Sequence, residues 1–121
     1  METGKRIWYF PDGELPPAGD EPMPGHESII ILNDNDKEAD LTMTLYYTDK
    51  DPYEGIKISV GKKRVKCVRM DDPKDLCGYE VERMTQYAIK IVSDIPVVVQ
   101  YGRLDTRQVK MAFYTTMGIS F

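Results

Sequence analysis

The sequence predicts an all-β fold, an antiparallel β-sandwich or jelly-roll-like single domain over residues 1–121, on three observations. Apolar residues recur with a period of two, which sets them on one face of a strand. Strong turn residues punctuate the chain at short intervals: Pro11, Asp12 and Gly13, then Pro16 to Gly25, Asn33 to Asp36, Asp49 to Pro52, and Gly61. No helical pattern alternates with the strands, so nothing is available to cross over a parallel sheet.

Eight strands are expected. The first, Arg6 to Phe10, carries the aromatic triplet Trp8, Tyr9 and Phe10 and stops at Pro11. Such rings serve either a core or the C–H faces of a sugar. Four prolines between Pro16 and Gly25 restrict that segment to an ordered arm. Ser28 to Asn33 is next, and its Ile29–Leu32 run is apolar on both faces, as in a strand sandwiched centrally or covered by another subunit. In the third strand, Leu41, Met43, Leu45 and Tyr47 share a face, leaving Tyr46 the freer tyrosine. Ile56 to Val60 repeats the alternation. Arg64 to Met70 spreads its Lys and Arg over both faces and reads as a solvated edge strand. The connection from Asp71 to Arg83 reads as loop. Tyr87 to Val92 and Pro96 to Arg103 follow as separate strands. The last strand aligns Val109, Met111, Phe113, Met117, Ile119 and Phe121 on one parity, broken only by Thr115.

Composition narrows the function classes. With 121 residues, 41% hydrophobic and 30% charged, the chain suits one globular core. Sixteen Lys and Arg against twenty Asp and Glu give a net charge of -4, which attracts neither phosphate backbones nor anionic lipid, so no nucleic acid is expected as partner. The apolar runs fall far short of the ~18 residues of a membrane span. The amino-terminal METGKRIWYF is not followed by the apolar stretch of a signal peptide. A cytoplasmic location is therefore expected, with Cys67 and Cys77 as free thiols. His26 is the only histidine, which excludes a centre built on several imidazoles; no metal or cofactor is expected.

Two polar constellations stand out. His26 and Glu27 open a strand after a Pro- and Gly-rich turn, where a ring N–H can donate to a ligand and a carboxylate can accept from a hydroxyl. Neighbours on a strand face opposite ways, and the plainer role for His26 is to anchor the preceding loop. In VVVQYGRLDTRQ, Arg103, Asp105 and Arg107 follow at two-residue spacing and share a face, either as a salt-bridge ladder or with one guanidinium fork free for a ligand. Gln100 and Gln108 have the other parity. A carbohydrate-active enzyme using Glu27 or Asp105 is the alternative from another class, although no spacing singles out the pair of carboxylates it needs. A purely structural oligomer is the third reading.

Read together, GKRIWYF, GELPPAG, HESIIILN, LYYTDKDP, VRMDD and IPVVVQYGRLDTRQ resemble, in this order and over almost the whole chain, the sensory rhodopsin transducer family. The resemblance implies a β-sandwich assembled as a homotetramer, binding of small molecules such as sugars, no established catalytic activity, and a soluble signalling role beside a membrane photoreceptor or other receptor. Matching positions are Trp8, Gly13, Pro16 and Pro17, then His26, Glu27 and Asn33. Tyr46, Tyr47, Asp49 and Pro52 follow, and finally Gln100, Arg103, Leu104, Asp105, Arg107 and Gln108. The sequence departs from the pattern in the bulky Tyr9, Phe10 and Pro11, and in Cys67 at a place where relatives can carry histidine. The candidate ligand-binding set is therefore Trp8, His26, Glu27, Asn33, Gln100, Arg103, Asp105, Arg107 and Gln108.

Overall fold

The computed structural model describes residues 3–20, 22–106 and 112–121. Among them, β1 runs Lys5–Glu14, β2 His26–Asn33, β3 Ala39–Tyr47, β4 Tyr53–Val60, β5 Arg64–Arg69, β6 Gln86–Asp105, β7 Ala112–Met117 and β8 Ile119–Ser120. All pairings are antiparallel, as the sequence predicts.

One strand belongs to both layers of the sandwich. The first part of β6 lies between β3 and β1 in a sheet ordered β4-β3-β6-β1-β8. Its second part lies between β2 and β7, with β5 outside β2. This corrects the expectation of two strands, Tyr87 to Val92 and Pro96 to Arg103. Pairing with β3 extends to Ser93 and pairing with β2 starts at Val98, so Pro96 falls at the handover. There its missing N–H breaks no ladder, and a residue that reads as punctuation is accommodated inside a continuous strand.

The converse holds near the end of the chain, where one expected strand is two. At Gly118 a Cβ would collide with the Tyr9 carbonyl and the Phe10 ring, so only glycine lets the chain pass from β7 on one sheet to β8 on the other. The apolar parity there does not enter the core: Phe113, Met117, Ile119 and Phe121 are exposed. Val109 and Met111 lie outside the described residues. The connection from Asp71 to Arg83 also holds one element the sequence reading lacks, a 3-10 turn at Pro73–Leu76 capped by Asp72, which buries Leu76.

Between the layers, Ile29 and Ile31 of β2 meet Leu41, Met43 and Leu45 of β3, Ile56 and Ile58 of β4, and Ile89, Ile91 and Val99 of β6. Trp8 and Phe10 belong to this core, whereas Tyr9 is only half-buried and meets the Phe121 ring edge-on at 6.1 Å. The described residues of the arm are tied down at both ends: Arg83 donates to the carbonyls of Pro16 and Gly25, and the Thr106 hydroxyl donates to Ala18 O at 3.1 Å. The edges at β4 and β5 are guarded. Arg64 and Lys66 keep β5 solvated, Lys66 Nζ donates to Ser59 O at 3.2 Å, and the Cys77 thiol bonds the Lys57 amide and carbonyl at 3.3 Å each.

Candidate functional site

Alternation along β2 turns Glu27, Ile29, Ile31 and Asn33 inward and His26, Ile30 and Leu32 outward. Glu27 is thus a carboxylate with no exposed surface. Such a group persists only if donors surround it, and four do. Tyr87 Oη donates to Oε1 at 2.6 Å and Tyr101 Oη donates to Oε2. The Glu14 amide donates to Oε2 at 3.0 Å, and Arg103 Nη2 lies 3.4 Å from the same oxygen.

Each donor has a local reason to be there. Tyr87 has the parity of Ile89 and Ile91, so it points inward, and its ring lies over β1 because Gly13 has no side chain; a Cβ there would come within 3.0 Å of the ring. Just before Gly13, β1 shifts register against β6, which carries Pro11 and Asp12 out of the ladder. Tyr101 and Arg103 share the inward parity of Val97 and Val99. Arg103 Nε also donates to Tyr101 Oη at 3.2 Å, and its guanidinium sits 5.5 Å from the centre of the Tyr114 ring on β7. Burial raises the Tyr87 and Tyr101 phenols well above their ordinary pKa, and the Glu27 charge raises them further. Burial opposes the Arg103 charge, but Tyr101 and Glu27 outweigh it and hold the guanidinium protonated.

A cavity of about 510 Å³ opens next to this cluster, between β1 and β7 at the mouth of the sandwich. Phe10, Pro11 and Asp12 form one wall, Tyr114 to Gly118 the other, and Tyr101 the floor. The Phe10 and Tyr101 rings stack at 6.3 Å, and Tyr101 and Tyr114 are tilted at 6.1 Å. The cavity therefore offers ring surface, Thr hydroxyls and one carboxylate.

Of the predicted set, the fold brings together Glu27 and Arg103. Trp8 is in the core, its indole donating to Lys5 O at 3.1 Å. His26 takes the plainer role, its Nδ1 2.9 Å from Pro24 O at the end of the arm. Asn33 closes turns at the far end of β2, donating to Lys37 O, Val60 O and Gly61 O and accepting from Asn35. Gln100 is on the outer face of the second sheet, between Ile30 and Met117. Asp105 ends β6 opposite Ala112. Arg107 and Gln108 lie outside the described residues. Arg103 reaches for Glu27, on another strand and 76 positions earlier in the chain. Tyr87, Tyr101 and Tyr114 are the members sequence reasoning missed; inward parity beside apolar neighbours is the signal that marks the first two. No cluster of metal-binding side chains occurs among the described residues.

Comparison with known proteins adds an independent line. The family model described as Anabaena sensory rhodopsin transducer matches residues 3–120. The crystal structure of Thermotoga maritima 1070 superposes with a TM-score of 0.88 at 28% identity, covering 98% of this chain and 97% of its own. The Anabaena sensory rhodopsin transducer superposes with a TM-score of 0.76 at 36% identity, covering 88% of this chain and 94% of its own. No curated protein matches.

Proposed function

The chain belongs to the Anabaena sensory rhodopsin transducer family, and from that premise we propose that it is a non-enzymatic cytoplasmic signalling module that binds a small polar molecule in the cavity between β1 and β7. The observation that carries the proposal is the cavity itself, whose Tyr101 floor is bonded to the Glu27–Arg103 pair. Pockets of roughly 300–1,000 Å³ with ring surface and a few fixed polar groups are the usual form of small-molecule sites. The upstream partner is a membrane photoreceptor or another receptor. No described helix is long and apolar enough to cross a membrane, so the module meets its receptor without a helical anchor among these residues.

Isothermal titration against a panel of sugars tests the ligand. Binding that is lost in Tyr114→Ala and weakened in Arg103→Lys, but kept in His26→Ala, supports this site. Heat with no sugar, or heat unchanged in the first two variants, refutes the sugar-binding form of the proposal. An enzymatic role for Glu27 finds no support, because both its oxygens are held by protein donors away from the surface.

Assembly as a homotetramer is part of the same proposal. The outer face of the second sheet sets Val65, Leu32 and Val98 in one row and Ile30 and Met117, on either side of Gln100, in the next, with Phe113 beside Leu104 further along β7. Leu32 is 43%, Val65 65% and Phe113 67% exposed. Contiguous apolar surface of this kind marks contact with another protein. Light scattering should find an oligomer that Leu32→Glu disperses.

A further inference from the structure

Glu27 stands where the two layers meet. It belongs to β2 in the second sheet, where its donors Tyr101 and Arg103 also lie, on the second part of β6, while Tyr87 and the Glu14 amide belong to the first. The carboxylate is therefore a clamp between sheets. Among the described residues, its ion pair is with Arg103. That side chain also reaches outward: it is 22% exposed and packs against Tyr114, on a strand whose residues are all exposed and which lines the cavity. The chain of contacts runs from the surface inward as Tyr114, Arg103, Glu27, Tyr87.

We propose that Arg103 is a positioning residue that couples events at Tyr114 to the clamp between the sheets, so that covering Tyr114 tightens the Glu27 cluster and exposing it loosens the cluster. The physical basis is local. A guanidinium on an aromatic face is held more strongly when water is excluded from the pair. At 3.4 Å the Arg103–Glu27 contact is long enough to shorten. Any occupant that binds better when Arg103 is docked shifts the population of the docked state by its difference in affinity for the two states. This rests on the reading of the cavity beside β7 as the ligand site, and it specifies how occupancy there is felt inside.

The Glu14 amide gives a direct readout, because its hydrogen bond ends on the clamp itself. Hydrogen exchange followed by NMR should show that amide exchanging about tenfold faster in Tyr114→Ala. The Thr42 and Met43 amides, in the same sheet as Glu14 but away from the cavity, should be unchanged. Tyr114→Phe, which keeps the ring over Arg103 but loses the hydroxyl beside Tyr101, should fall between Tyr114→Ala and the parent chain. Combining Tyr114→Ala with Arg103→Met should add nothing to Arg103→Met alone. Unchanged exchange in Tyr114→Ala, or full additivity in the double variant, would overturn the proposal. The same amide should slow when a sugar fills the cavity over Tyr114. Binding that leaves it unchanged refutes the coupling and spares the ligand reading. If no sugar binds, the ligand reading fails, and the variants then decide the coupling alone.

Discussion

Glu27 and Asn33 sit on the same inward face of one strand, both without exposed surface, and they are used in opposite ways. Asn33 gives its amide hydrogens to three backbone carbonyls within the neighbouring turns and accepts from Asn35, so it fixes where β2 and β4 end. Glu27 collects side chains from two parts of β6, far away in sequence, and lies beside a cavity. A buried polar residue whose partners are nearby backbone is explained by the turn it closes. One whose partners are distant side chains drawn from both layers is placed at a junction, where a change at one partner is passed to the others.

Removing Glu27 is the hardest test of that contrast. Glu27→Ala leaves Arg103, two phenols and an amide without their acceptor, and urea unfolding should show a loss of about 3–5 kcal/mol. Glu27→Gln, which keeps the shape, should lose less. Asn33→Ala strands three carbonyls but no charge, and should cost about 1–3 kcal/mol without disturbing the cavity. If the Asn33 variant also abolishes ligand binding, the two ends of β2 are not independent.

Acidity separates the regions further. The phenols of Tyr87 and Tyr101 have their pKa raised in the folded chain, so their contribution is complete below the unfolded value near ~10 and is lost as pH rises above it. Thermal melts should thus fall above about pH 10, and Tyr101→Phe should flatten that fall. Asp71 supplies the opposite limb. Burial opposes its charge, but its hydrogen bonds from Arg69 at 2.7 and 2.8 Å lower its carboxyl overall. Its contribution is present above the unfolded value near ~3.9 and disappears as pH falls. The smallest effect belongs to His26→Ala, which removes one contact to the arm and should change stability by no more than about 1 kcal/mol.

The strands were legible because alternation is a local signal: Leu41, Met43 and Leu45 are as buried as their spacing predicts. So were the lysine-rich edge at β5 and the His26 anchor. The handover at Pro96 was not, since a proline inside a strand is tolerated only where pairing changes sides, and that depends on which strands flank it. The break at Gly118 was hidden for a related reason: it is set by the approach of β1, more than a hundred positions away. The partner of Arg103 was not legible either. Its two-residue spacing from Asp105 and Arg107 is a signal along one strand, whereas the carboxylate 3.4 Å from its guanidinium is brought across from β2 by folding.

That β6 threads both layers has a mechanical meaning. The layers cannot slide past one another as separate plates, because any shear must bend a backbone gripped by ladders on either side of Pro96. A strain applied at one rim is carried along a covalent spine to the opposite rim, which makes the sandwich a stiff body well suited to passing on a push.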